Sequence, residues 1–364
     1  MLNNHRLFSD RELKPATYDP FSVKLKKLLH ADQRYSVLDF RSAKNFLIVF
    51  TDSISSAIRI SNLYRRLSSA GSDLETPFFK IKIVLLPDNS VGQFIKGVCH
   101  VGVAPVRSDG DSSSEQITQI LYGEGFDTLQ MDGDWIRARL HLDGYVGWVS
   151  SSQVTLFTEN EFDNYRSLRQ VIATEKLLPL FEKPVEHSNQ IREALLGNRL
   201  AITGQRGNFF EVKLPDGSNA YAKKSGVAFI PAAKNLSLKR LLETALSFKG
   251  ISYVWGGRSP KGFDCSGFVQ TVFRLNGVEL PRDANEQFLA GKAVGKGLKK
   301  LRPGDLLFFS SNGNKINHVA IFLVRNGEFI HSSGFVRINS LDPRNKNFSK
   351  RLFSNFIGAC RIIY

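Results

Sequence analysis

Hydrophobic positions along this chain fall into three successive patterns, and each marks a different kind of unit. Between residues 34 and 87, the apolar stretches RYSVLDF (34–40), NFLIVF (45–50) and KIKIVLLP (80–87) have strand length and composition. Between the last two, Ile58, Ile60, Leu63 and Leu67 recur at helical spacing, with Gly71 beyond them as a stop. This predicts a small α/β domain over residues 1–94. The pattern then turns to short alternating strands, and it repeats: Ile117, Gly123, Gly133 and Trp135 correspond to Ile191, Gly197, Gly207 and Phe209 at one constant offset. Each copy carries an Asp-Gly hairpin signal, Asp143-Gly144 and Asp216-Gly217. Self-similarity of this kind implies two copies of one structural unit, predicted as small β-barrels over 95–160 and 161–231. After PAAKN (231–235) the period becomes helical, with Ser237 placed to cap a helix, Leu238, Leu241, Leu242, Ala245 and Phe248 along its stripe, and Gly250 past its end. A last domain is therefore expected over 236–364, and the fold class as a whole is multidomain α+β.

Composition narrows the picture without deciding it. The chain has 364 residues, 42% apolar and 23% charged, close to soluble globular averages. Its apolar runs, such as AIFLV at 320–324, fall far short of the roughly 18 residues of a membrane span, so no transmembrane segment is expected. The N-terminal stretch MLNNHRLFSDRELKPATYD shows no apolar export core, and three cysteines, Cys99, Cys265 and Cys360, form no disulfide framework. Both features predict a cytoplasmic protein. A formal net charge of +15 favours anionic partners. The basic clusters at 292–302 and 344–351 lack interleaved aromatics, however, so specific nucleic-acid binding is not expected.

Chemistry concentrates between Tyr253 and Gln287. Gly256, Gly257, Pro260 and Gly262 interrupt regular structure, after which Phe268, Val269, Val272, Phe273 and Leu275 recur at helical spacing. Cys265 thus falls in the first turn of a helix capped by Asp264. Free backbone N–H groups and the positive end of the dipole at such a position lower a thiol pKa. A cysteine nucleophile needs a base, and the base an orienting partner. RPGDLLFF (302–309), NHVAIFLV (317–324) and EFIHSSG (328–334) read as consecutive antiparallel strands, which would bring His318 and His331 together as base and orienter. His5, His30, His100, His141 and His187 have no comparable setting, and Cys99 and Cys360 lack a helix start. Metal binding by Cys265, His318 and His331 lacks the short-range spacing of structural zinc sites, so neither a metal nor any other cofactor is expected.

These motifs resemble a known family. YVWGG, GFDCSGFV, LPRDANEQ, RPGDLLFF, HVAIF and FIHSS stand in the order of the NlpC/p60 cysteine peptidases, whose catalytic domain is papain-like. The resemblance implies Cys265, His318 and His331 as catalytic Cys, His and third polar residue, with Tyr253 shaping the oxyanion site. The preceding repeat, with GYVGWV at 144–149, resembles the bacterial SH3-like domains of cell-wall hydrolases. Two such barrels before the peptidase resemble the dipeptidyl-peptidase VI-like branch, which cleaves between γ-D-glutamate and the diamino acid, meso-diaminopimelate or L-lysine, of peptidoglycan stem peptides.

In that branch a carboxylate of the first barrel captures the substrate's free L-Ala amine. The resemblance places Glu115 in that role, Tyr145 as the closing aromatic, and Asp264, Ser266 and Asp283 along the pocket. A buried carboxylate wall would reject stems whose amine is still acylated, since its charge would stay unpaired. Ala284 departs from the branch, which often has a hydroxyl there, and so does NAYA (219–222) in the second barrel. The implied function is cell-wall recycling on stem peptides by a monomer. An exported hydrolase of intact peptidoglycan, and a binding protein with an inactive peptidase domain, are the competing readings.

Overall fold

Strand and helix alternate first. A computed structural model describes residues 14–15, 34–43, 46–69, 80–229, 237–313, 315–324 and 326–362. His5, His30, Gly71 and the 231–235 segment lie outside the described residues. In the first unit Leu38–Ala43 pairs antiparallel with Phe46–Thr51, which pairs in parallel with Lys80–Leu85. The Ile54–Ser69 helix makes the crossover between the parallel pair, as a parallel connection requires. Ile60 is buried against Phe40, Leu47 and Val49, but Ile58 is 56% exposed. The expected stripe is thus narrower than its hydrophobicity suggests, since a single helix over a small sheet covers only one face.

The repeat becomes two seven-stranded antiparallel sheets with the same strand order, the SH3-like barrels. Matching strands include Gln116–Leu121 with Gln190–Leu195, Gly125–Asp132 with Arg199–Arg206, and Val146–Ser150 with Asn219–Lys223. Gly133 and Gly207 hold nearly the same left-handed turn, φ 54° and 53°, so the glycines conserved between copies mark hairpin geometry.

The C-terminal unit is a six-stranded antiparallel sheet in which Leu306–Phe309, His318–Phe322 and Glu328–Ser333 are neighbours. The helices Leu238–Ser247 and Cys265–Leu275 cover one face through a core that includes Leu241, Phe248, Phe268, Val272, Phe308 and Ile321. Ser237 caps the first helix, accepting from Arg240 N–H, while Leu238, expected on the stripe, is 37% exposed at its start.

Three sets of contacts lock the first barrel against its neighbours. Glu124, buried, pairs with Arg258 and Arg274 of the C-terminal unit. Arg258 also gives its backbone N–H to Gln119 Oε1 (2.9 Å) and its Nε–H to Gln119 O (2.7 Å). Burial alone would raise the Glu124 carboxyl, but the two guanidiniums outweigh it and hold it below the usual carboxylate range. On the other side Asp39 of the first unit pairs with Arg137 at 2.6 Å.

Candidate active site

The Cys265–Leu275 helix begins where the sequence reading places it. Asp264 is its cap, accepting from Gly267 N–H at 2.6 Å. Gly267 has to be glycine for a further reason: a Cβ there would lie 2.2 Å from Gly257 O, so the first turn rests directly on the loop that carries Tyr253 and Trp255. Cys265 is half-buried and lines a cavity of about 420 Å³ together with Tyr253, His318 and Arg351.

Opposite the thiol, the two imidazoles meet. His318 Nε2 and His331 Nδ1 are 2.7 Å apart, with the rings near perpendicular at 82°. Phe309 packs on His318 and Phe329 on His331, fixing both rings. The proton positions follow from the hydrogen bonds further out. Asn339 Nδ2 donates to Asn347 O (3.1 Å), which can only accept, so Asn339 Oδ1 faces His331 Nε2 (3.0 Å) and takes its hydrogen. His331 Nδ1 is then the acceptor for His318 Nε2–H, which leaves the lone pair of His318 on Nδ1. Asn339 is a positioning residue that sequence reading missed, because an Asn in FVRINS carries no local signal of a role eight residues away.

The charges of this group differ from one sequence-based expectation. Burial pushes the Cys265 thiol up to about 12, with the Asp264 carboxylate adding to the rise, where a helix start alone would lower it. Backbone N–H groups of Val319 and Ser266 act in the lowering direction but are outweighed. Burial lowers His318 to about 3, helped by His331, and lowers His331 to about 4. Burial thus acts against charge on both the thiol and the imidazole. Cys99 and Cys360, also pushed up to about 12 by burial, are fully buried with no such base.

The remaining expected site residues fall into three groups. Asp264 and Ser266 are buried and held by Arg282, whose Nη1 lies 2.9 Å from Ser266 Oγ and whose Nε–H bonds Thr118 of the barrel at 2.8 Å. Tyr145 and Asp283 meet, with the tyrosine hydroxyl 3.4 Å from Asp283 Oδ2. Glu115 accepts from the indole of Trp255 at 2.7 Å, and its neighbour Gln116 donates to Trp255 O at 2.6 Å. Glu115 is exposed, which corrects the buried wall expected of it: it projects from an open turn ahead of its strand. The 62% exposed indole of Trp255, quoted in the sequence motif without a role, stands at the same rim.

Two more residues at the site come from the first unit, where sequence reading found no chemistry. Arg34 pairs with Asp283 at 2.6 Å and with Glu286 at 3.1 Å. Tyr35 bonds Glu286 and stands edge-on to Tyr145, ring centroids 5.7 Å apart. Asp283 is therefore not left unpaired when no substrate amine is present: Arg34 is its resident cation.

Comparison with known proteins identifies the family. Residues 250–356 match the NlpC/P60 family, and residues 106–154 match the bacterial dipeptidyl-peptidase SH3 domain. A γ-D-glutamyl-L-lysine dipeptidyl-peptidase of Bacillus cereus is 30% identical over 240 residues, covering 63% of this chain and 70% of that protein. The chain belongs to the NlpC/P60 family. As a member of that family it is a cysteine peptidase, and dipeptidyl-peptidase 6 of Lysinibacillus sphaericus is 26% identical over 69% of this chain and 93% of its own. The crystal structure of an NlpC/P60 family protein from Bacillus cereus superposes with a TM-score of 0.64 at 25% identity, covering 74% of this chain and all of that one. Among the described residues no helix is long and apolar enough to cross a membrane.

Proposed function

We propose that this NlpC/P60 peptidase hydrolyses the bond between γ-D-glutamate and the diamino acid of peptidoglycan stem peptides that carry a free N-terminal L-Ala. The observation that carries this reading is that Cys265, His318 and Tyr253 line one cavity, while the first barrel brings Glu115 to Trp255, two residues along the chain from Tyr253, and Tyr145 to Asp283. The names of the dipeptidyl-peptidase relatives support the same bond.

In this reaction His318 Nδ1 takes the Cys265 proton as Sγ attacks the γ-carbonyl. The carbonyl electron pair moves to oxygen, and the oxyanion accepts from backbone N–H at the start of the helix and from the Tyr253 hydroxyl. Burial and the neighbouring Cys265 and Asp264 raise the Tyr253 phenol, so it stays protonated and able to donate. As the tetrahedral centre collapses, the C–N bond breaks and His318 returns its proton to the leaving amine, giving a thioester of L-Ala-γ-D-Glu on Cys265. Water, deprotonated by His318, then releases the dipeptide and restores the thiol. Asp264 and Ser266 act by anchoring Arg282 beneath this wall, and Asp283 with Glu115 receives the L-Ala ammonium.

A stem peptide has a free L-Ala amine only after it has been cut from its glycan, so this preference fits a role in recycling released peptides inside the cell. Mass spectrometry of L-Ala-γ-D-Glu-meso-diaminopimelate, free and N-acetylated, tests the reading. Dipeptide release should be faster from the free form by roughly 10-fold or more, the worth of one charge-assisted contact, and absent with Cys265→Ala. Equal rates on both forms would remove the amine preference.

A further inference from the structure

The two sides of the cleft carry opposite charge. Because His318 must reach the leaving nitrogen to protonate it, the leaving half of the substrate lies on the imidazole side of Cys265, in the cavity that Ser311, Asn317, Asn355 and Arg351 line. Among its described lining residues the one charged side chain is Arg351, and none is a carboxylate. The barrel side has three, Glu115, Asp264 and Asp283; Arg282 pairs with Asp264 and Arg34 with Asp283, while Glu115 meets the neutral Trp255 indole. Arg351 is exposed, and among the described residues it forms no ion pair or hydrogen bond. Its charge is nonetheless felt at both imidazoles, where it opposes protonation. Two other arginines at this end of the molecule are committed to carboxylates, Arg344 to Asp342 and Arg361 to Asp305.

We infer that Arg351, with the amide of Asn355 and the hydroxyl of Ser311 beside it, forms a subsite for a carboxylate on the leaving half of the substrate. An uncommitted guanidinium at the rim of a polar cavity offers a two-pronged donor matched to a planar anion. The cleft then reads a dipolar peptide, ammonium towards the barrel and carboxylate towards Arg351. This inference rests on the proposed function. Two sources of the carboxylate are chemically equivalent: the α-carboxylate of a diamino acid at the peptide's end, and the distal carboxylate that diaminopimelate has and lysine lacks.

Four tripeptides separate them: L-Ala-γ-D-Glu joined to meso-diaminopimelate, to L-lysine, to the α-amide of meso-diaminopimelate, and to the α-amide of L-lysine, which has no carboxylate on that half. Wild type should favour at least one carboxylate-bearing form over the last by roughly 10-fold in kcat/KM, and the form that gains identifies the source. In Arg351→Ala that ratio should fall towards one, and Arg351→Lys should recover part of it. A melting temperature unchanged in the variants checks that the fold is intact. If the ratio is the same in wild type and Arg351→Ala, or if wild type shows no preference, the subsite is refuted while the peptidase function stands. Cleavage of none of the four would refute the proposed function, and the subsite with it.

Discussion

At the level of single residues, the arrangement depends on where a few protons sit. The Asn347–Asn339–His331–His318 series leaves the base lone pair on His318 Nδ1, so Asn339→Ala should lower kcat by roughly 10-fold or more with little change in KM, because a mis-set tautomer withdraws the base without touching substrate contacts. Steady-state kinetics checks this, and a pure KM effect would contradict it. The depressed imidazoles also make a stability prediction. Each stays neutral in the fold below the pH at which the unfolded chain binds its proton, near 6.5. Stability from this source is therefore complete above that pH and declines as pH falls through the window down to about 4 for His331 and about 3 for His318. The slope approaches about 1.4 kcal/mol per pH unit for each imidazole. Urea unfolding at pH 7 and pH 5 should show this loss in wild type and a flatter response in the His318→Gln, His331→Gln double variant. Cys265, His318 and His331 were legible in the sequence because helix start and strand register are local signals. Asn339 was not, since its role depends on a partner in another turn.

Among elements, the contacts that seat the first barrel set the shape of the cleft. Gly256 has φ +71°, and a Cβ there would lie 2.8 Å from Gln116 O. Gly256→Ala would therefore both strain its own backbone and push the barrel strand off the Trp255 loop, and should reduce kcat/KM more than it reduces melting temperature. Glu124→Gln leaves Arg258 and Arg274 buried with the carboxylate they share removed. Breaking such a pair costs about 3–5 kcal/mol, which chemical denaturation would register; a cost below about 1 kcal/mol would mean the network is solvated. Arg34 competes with the substrate ammonium for Asp283, so Arg34→Met should raise the ratio of kcat/KM for free over N-acetylated tripeptide. The repeat was readable in the sequence because its glycines sit at turns of fixed geometry. The docking network was not, as Arg258, Arg274 and Arg282 look like ordinary helix and loop cations until the fold buries them against the barrel.

Over the whole molecule, the fold brings together parts far apart in the chain: Arg34 of the first unit and Tyr145 of the first barrel meet Asp283, Glu115 of that barrel meets Trp255, and Cys265, His318 and Arg351 of the last unit line one cavity. The second barrel, which lacks the closing aromatic, reaches the last unit through Lys261–Glu193 and through the packing of Gly197 on Leu275. Fold class and strand layout followed from periodicity, whereas the position of the first unit against Asp283, Glu286 and the first barrel rests on long-range ion pairs that no local pattern encodes. The central claim is that Cys265 carries the L-Ala-γ-D-Glu half of the substrate as a thioester. Acid-quenched reactions with the free tripeptide, digested and sequenced by mass spectrometry, test it most directly. A dipeptide adduct is expected on the peptide containing Cys265, lost in Cys265→Ala and accumulating in Asn339→Ala if deacylation is the slower step. An adduct of the diamino-acid half, or one on Cys99 or Cys360, would contradict it.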